Sequence, residues 1–181
     1  MDFYEVIKTR RSVRKFKSTT VPDVVLKRVL EAARIAPSGS NRQPWRFIVI
    51  KDAERKRKIA RLCHHQSFIA QAPIVIAGCG KNIHYNRGEW MGDCSMIVDV
   101  AIALDHLTLA ARAEGLGTCW IGSFENAEIK KYLGIPEDVN VVALTPLGYP
   151  QDETSFCETE DRLPLEEIVY QEVWGKTNQQ E

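Results

Sequence analysis

The sequence predicts a three-layer domain of mixed helix and strand, with helices on both faces of a central sheet. Three observations carry the prediction. Apolar, β-branched runs at residues 45–50, 74–77 and 139–147 read as buried strands. Segments with apolar residues at helical spacing lie between them, so strands and helices interleave. Residues 90–114 form one long helical segment that is apolar on nearly every side, with Met96, Ile97, Val98, Val100, Ala101, Ile102, Leu104, Leu107 and Leu109. A helix of that kind must be buried all round, either at the centre of the domain or against a partner chain, and the spacing therefore predicts a dimer.

Residues 2–8 read as a short helix. Residues 22–35 form a clearer one, with Pro22 in its first turn, Asp23 beside it, and Val25, Leu26, Val29, Leu30 and Ala33 on one face. Pro37 marks its end. Strand 45–50 follows, and Asp52 is placed to cap a helix over 53–64. After strand 74–77 and the long helix, Gly115-Leu116-Gly117 stops the helical pattern, and 118–121 reads as a strand. Residues 126–133 form a further helix, closed by Gly134 and Pro136. Strand 139–147 ends at Gly148-Tyr149-Pro150, and an acidic loop over 151–161 leads to a C-terminal extension beginning Arg162-Leu163-Pro164-Leu165.

A chain of 181 residues, 44% hydrophobic and 27% charged, suits a single domain over 1–175, with a disordered tail at 176–181. The opening residues, with Asp2 and Glu5, do not read as a secretory leader. The five cysteines are odd in number and lack CxxC spacing, which points to free thiols in a reducing cytoplasm. Cys63, His64 and His65 have no second ligand pair, so no metal site is expected.

Net charge is zero but unevenly spread. Residues 1–62 hold 17 Lys/Arg against 6 Asp/Glu, which by subtraction from the 24 of each leaves 7 against 18 for the remainder. A basic N-terminal third suggests an anionic partner. Arg55, Lys56, Arg57, Lys58 and Arg61 read as a solvated helix face. Arg10, Arg11 and Arg14 differ, because they gather at the edge of structure.

Those arginines belong to RRSVRKF at 10–16, where guanidinium forks stand beside the hydroxyl of Ser12. This donor set binds a phosphate monoester bidentately. About two dozen residues later comes APSGSNRQPW at 36–45. Pro37, Ser38, Gly39, Ser40, Asn41 and Gln43 there form a turn-rich loop offering backbone N–H groups, hydroxyls and amides beside Trp45. Such a loop fits a planar ligand with polar edges, and the two segments together suggest a nucleotide-like cofactor.

Common alternatives fail on context. Gly78-Cys79-Gly80 follows a strand but has Ile83 where a dinucleotide fingerprint needs glycine; Gly115 and Gly117 precede a strand rather than opening a helix. The chain has no phosphate loop ending GK[ST], no GxSxG and no HExxH. Cys119 reads as a buried strand thiol, and Asp99, Asp105, His106 and Thr108 as helix-end neighbours or interface hydrogen-bonders. A cofactor that carries the reaction is therefore the better reading than side-chain acid–base catalysis.

RRSVRKF, APSGSNRQPWRF, AARAEGLGTCWIGSF and the closing RLPLEEIV, in that order, resemble the FMN-dependent nitroreductase family over residues 3–173. The resemblance is to a compact member. It implies an α+β fold with a central, mostly antiparallel sheet flanked by helices, in an intertwined homodimer with FMN in clefts at the subunit interface. It places phosphate and ribityl contacts at Arg10, Arg11, Ser12 and Arg14. It assigns the loop contacts, contributed by the other subunit, to Pro37, Ser38, Gly39, Asn41 and Gln43. Trp120, Ile121 and Gly122 would lie over the buried flavin face, with a main-chain N–H reaching the N5 edge, and Arg162 would close on the phosphate.

The implied activity is ping-pong transfer from NADH or NADPH, through flavin N5, to small acceptors such as nitroaromatics or quinones. No catalytic side chain is implied, since the flavin carries the chemistry. Arg14 or a nearby lysine would stabilise the reduced ring. One departure stands out: Glu160 occupies a position where some relatives have lysine. A carboxylate beside a phosphate dianion repels it, so either Glu160 points away or the phosphate rests on the N-terminal arginines. Two other readings remain at this point. One keeps the fold for reductive dehalogenation or oxygen-dependent flavin chemistry, with a candidate lid at 84–90. The other is a polyanion- or nucleic-acid-binding protein, supported by charge asymmetry alone. Phe68, Tyr85, Trp90 and Phe124 are candidate aromatic walls, each more readily explained as packing.

Overall fold

The computed structural model describes residues 1–83, 90–159 and 161–176. Residues 84–89 of the candidate lid, Tyr85 among them, Glu160 and the tail 177–181 lie outside these, as does the side chain of Trp90. The elements in order are α1 (Phe3–Thr9), α2 (Asp23–Arg34), β1 (Trp45–Ile50), α3 (Ala53–Leu62), α4 (Phe68–Gln71), β2 (Ile74–Lys81), α5 (Trp90–Ala113), β3 (Gly117–Thr118), α6 (Asn126–Leu133), β4 (Val139–Gly148) and α7 (Leu165–Ile168). The strands form one sheet in the order β1-β2-β4-β3, antiparallel throughout.

Alternation along β2 explains the layering. Ile74 and Ile76 face one side and pack with Leu26, Val29 and Ala33 of α2 and with Val100, Leu104 and Leu107 of α5. Val75, Ala77 and Cys79 face the other and pack with Ile59 and Cys63 beside α3, Ile69 of α4 and Ile129 of α6. Successive strand residues point to opposite faces, so a strand apolar at every position supplies two cores at once. Complete burial of Leu104 or Leu107 alone is worth roughly 1.5–3 kcal/mol relative to exposure. A register shift at Gly78/Cys79 pairs them with Ala143 and Val141, leaving Val142 as the extra residue of a bulge. Beyond it, Ala143 faces the α5 side and Leu144 the opposite one.

Several local expectations are refined. β2 runs four residues further than the apolar pattern, through Gly78 and Gly80. A Cβ on Gly78 would stand 2.7 Å from Leu104, and one on Gly80 only 2.1 Å from Met96, so these glycines let α5 lie close against the sheet. Asp52 caps α3 as expected, accepting from the Arg55 N–H at 2.8 Å. Lys56 is a correction to the solvated-face reading: it is 7% exposed and its ammonium donates to the Ala72 and Pro73 carbonyls at 2.6 and 3.1 Å. Burial lowers its pKa, and the nearby Asp52 partly offsets this. The other basic residues of α3 do face outward or sideways: Arg57 pairs with Glu54, and Arg55 lies over the Tyr132 ring. The predicted strand 118–121 shortens to Gly117–Thr118, with Ile121 rejoining β4 through a single bridge to Leu144.

Candidate functional site

The arginine segment is fixed by a short extension of the sheet. Arg10 ends α1, its N–H bonded to the Val6 carbonyl. Val13, 2% exposed, is the apolar pin of the segment, and its N–H donates to the Thr118 carbonyl at 2.8 Å. Ser12 pairs with Thr118 in a parallel bridge, and Phe16 pairs with Pro150. Gly117 makes this possible, because a Cβ there would fall 2.6 Å from the Val13 side chain. With Val13 and Phe16 turned inward, Ser12 and Arg14 stand exposed on the outer side.

Arg11 carries the most informative atom of the group. Its Nη1 donates to the Arg10 carbonyl at 2.7 Å, whereas its Nη2 is buried and has no hydrogen-bond partner among the described residues. A buried, unpaired guanidinium nitrogen is costly, and polar groups in this state mark places where a partner is missing. An oxyanion is the natural complement of that fork.

The chain passes from Thr118 through buried Cys119, whose N–H donates to Thr145 Oγ1 at 3.3 Å, to Trp120, Ile121 and Gly122. Trp120 is 37% exposed, Ile121 is buried and bridged to Leu144, and Gly122 is exposed with nothing within 4 Å of where a Cβ would stand. The segment 120–122 thus presents backbone and open space a few residues from the Ser12–Thr118 bridge.

The loop at 37–43 is held separately. Ser38 Oγ accepts from the Gln43 N–H at 2.9 Å, and the Gln43 side-chain amide donates to the Asn41 carbonyl and Oδ1, each at 3.1 Å. Ser40, Asn41 and Gln43 have φ of 49°, 54° and 49°. Three non-glycine residues in the left-handed region within four positions make a strained loop, which persists only where its surroundings fix it. Gly39 is buried, and its N–H donates to Asp99 Oδ1 of α5 at 3.1 Å.

The structure therefore brings Arg10, Arg11, Ser12 and Arg14 together with Trp120, Ile121 and Gly122 around β3. It holds the loop of Pro37, Ser38, Gly39, Asn41 and Gln43 to α5 through Gly39, with no hydrogen bond to the arginine segment among the described residues. Arg162 is exposed and donates to its neighbour Asp161's carbonyl, with no hydrogen bond to either group among the described residues. Phe68 and Phe124 pack against the core beneath α3 and α6, which leaves them as packing residues rather than walls. Thr108 bonds the Asp105 carbonyl within α5. Asp99 is the functional candidate that composition alone undervalued. Its signal was an aspartate in the most apolar stretch of the helix, between Val98 and Val100.

Comparison with known proteins shows the family to which this fold belongs. The model of the Nitroreductase family matches residues 7–100 and 62–149. A crystal structure of a nitroreductase family protein from Clostridium novyi NT superposes with a TM-score of 0.78 at 35% identity, covering 98% of this chain and 97% of that one. The FMN reductase [NAD(P)H] of Bacillus subtilis is 32% identical, covering 94% of this chain and 74% of its own. The iodotyrosine deiodinase of Thermotoga neapolitana is 27% identical, covering 82% and 89%.

Proposed function

Because this chain belongs to the nitroreductase family, we propose that it is an FMN-dependent NAD(P)H oxidoreductase acting on small acceptors such as nitroaromatics or quinones. The observation that carries the reading is the buried, unpartnered Nη2 of Arg11 within a cluster of three arginines and a serine. A phosphate monoester answers that orphan nitrogen, and the donor chemistry of the cluster fits it. When bound, FMN supplies the redox centre between a reduced nicotinamide and the acceptor.

The chain's own residues bind and orient. Arg10, Arg11 and Ser12 hold the phosphate end, and Arg14, exposed beside them, adds positive charge. The open space above Gly122 suits the approach of a flat ring to the backbone of Trp120, Ile121 and Gly122. Pro37, Ser38, Gly39, Asn41 and Gln43 supply polar contacts from the strained loop. Arg162 is a further candidate to close on the phosphate, exposed and joined only to its neighbour's carbonyl among the described residues. No general acid is required of the protein.

The site is completed in a homodimer. Helix α5 is long and apolar enough, over Cys94–Ala113, to resemble a membrane span, yet only half of that window is buried within the chain. Ile97 is 49% exposed on it, and Phe3, Tyr4 and Ile7 of α1 lie bare, as do Leu165, Ile168, Val169 and Trp174 near the C-terminus. That much apolar surface calls for a partner, and a second copy of the chain provides one. Five unpaired cysteines suit a reducing, cytoplasmic compartment.

Purification tests the reading. The protein is expected to be yellow, with stoichiometric flavin absorbance, to elute as a dimer, and to oxidise NADH or NADPH in the presence of a nitroaromatic or quinone. Colourless protein that cannot be reconstituted with FMN would refute it. Release of halide from a halogenated phenol, without quinone or nitro reduction, would move the reading to the dehalogenating branch that the deiodinase relative represents.

A further inference from the structure

We propose that Asp99 is a positioning residue: through the Gly39 N–H it anchors the strained loop at 38–43 to α5 and thereby sets the loop's contacts with the cofactor. The inference rests on the FMN reading above and adds to it a residue outside the predicted contact set.

The loop's own hydrogen bonds do not explain its placement. Ser38 Oγ and the Gln43 amide close the turn on itself, and the Gln43 carbonyl, accepting from Arg46 Nη1 of β1 at 3.3 Å, ties only its C-terminal end to the sheet. Ser40, Asn41 and Gln43 hold left-handed backbone angles that a free loop would relax, because each costs energy without a compensating contact. The contact that crosses sixty positions of sequence is Gly39 N–H to Asp99 Oδ1, between two buried residues. Asp99 itself is 1% exposed and sits one turn from Ser95, which is also buried and folds its hydroxyl back onto the Met91 carbonyl.

A buried carboxyl group is an expensive way to fill space, since polar oxygens taken out of water must find donors. Toward Gly39 it presents an acceptor oxygen at a defined point, facing a backbone donor at the start of the three-residue helical turn Gly39–Asn41. Fixing Gly39 fixes the direction in which Ser38, Asn41 and Gln43 leave the turn. The half-exposed face of α5 is also the surface on which a second subunit would pack. Asp99 thus joins the loop to the helix that relates the two subunits, and the loop's position follows the dimer rather than fluctuating on its own.

The test uses the FMN-loaded dimer and its apo form with three proteins: wild type, Asp99→Leu and Asp99→Asn. Leucine keeps the branching and heavy-atom count of aspartate but removes the acceptor; asparagine, close to aspartate in size, keeps an acceptor oxygen in place. FMN dissociation constants are measured by flavin fluorescence well below each variant's melting temperature, with amide hydrogen exchange at Gly39 read alongside. Asp99→Leu is expected to weaken FMN binding by roughly ten- to a hundred-fold and to lose Gly39 protection in the apo protein. Asp99→Asn should restore most of both.

Wild-type affinity in Asp99→Leu overturns the proposal, as does unchanged Gly39 protection. Equal losses in both variants also overturn it, since charge rather than acceptor position would then be acting. If Asp99→Leu does not fold, Asp99→Asn and Asp99→Ser decide: serine, too short to reach Gly39, should behave as leucine does, and equal behaviour of serine and asparagine would sink the idea. Failure of wild-type protein to bind FMN at all would instead defeat the underlying cofactor reading and is seen in the same titration.

Discussion

Replacing Arg11 with methionine separates the cofactor's contribution from the fold's. The side chain makes one internal hydrogen bond, Nη1 to the Arg10 carbonyl at 2.7 Å, and leaves Nη2 buried without a partner. In the apo protein the orphan nitrogen costs about 1–3 kcal/mol, close to or above the net worth of the bond that Nη1 makes. Methionine keeps much of the apolar stem and removes both, so apo stability should hold steady or rise. Affinity should move the other way. Loss of a charge-assisted phosphate contact costs roughly 1.5–3 kcal/mol, or about one to two powers of ten in Kd. At an FMN concentration near 100 times the wild-type Kd, linkage stabilises wild type by about 2.7 kcal/mol. A variant bound 30-fold more weakly would gain only about 0.9 kcal/mol from the same solution. At about 2–4 °C per kcal/mol for a chain of this size, the FMN-induced rise in Tm should shrink by about 4–8 °C. Scanning calorimetry of apo and FMN-saturated protein, with a fluorescence titration for Kd, reads both signs. An apo protein destabilised by methionine with FMN affinity unchanged would refute the reasoning, because Arg11 would then be structural and its orphan nitrogen irrelevant to phosphate.

Gly117→Val would drive two methyl groups into Val13, whose side chain already stands 2.6 Å from a Cβ at 117. The variant should lose about 1–3 kcal/mol by urea unfolding and bind FMN more weakly, because the Ser12–Thr118 bridge opens. Ile97→Asp puts a carboxylate on the exposed apolar face of α5; light scattering should report a shift from dimer to monomer, with loss of bound flavin. Thiol titration should separate the cysteines. Exposed Cys157 should react first, while Cys63 and Cys79, whose thiols burial pushes up to about 12 and about 11, should react only on unfolding. Rapid modification of Cys63 in folded protein would contradict the two-core packing beneath α3.

Much of the fold was legible because burial and periodicity coincide. β1, α6 and most of β4 follow directly from apolar pattern and flanking breakers, and the Asp52 cap follows from residue type and position. The misreadings have physical causes. Gly78 and Gly80 read as a strand end because glycine lacks strand propensity, yet they continue β2 precisely where a side chain would strike α5. Lys56 read as solvated because its neighbours in sequence are; its ammonium turns inward to two carbonyls that no local pattern announces. Within the site, the residue types were readable and their grouping was not. Nothing in sequence shows that Ser12 lies against Thr118 or that Gly39 reaches Asp99, because both contacts join segments far apart in the chain.

These two long-range contacts also say how the site is held. Ser12 and Thr118 share one bridge, so the arginine segment at 10–14, the proposed phosphate grip, and the backbone at 120–122 form one piece, braced by Val13 beneath Gly117. The loop at 38–43 is fastened to a different element, α5, by a different bond. If α5 also forms the subunit interface, the distance between the two pieces is set by the dimer and not by either chain alone. The arginine segment and the half-exposed face of α5 then have a common explanation: each chain builds two halves of a site, and pairing brings unlike halves together. A variant that loosens the interface should consequently lose flavin before it loses secondary structure. Far-UV dichroism and flavin release, followed together through dilution, would expose the reverse order if the two halves of the site met within one subunit.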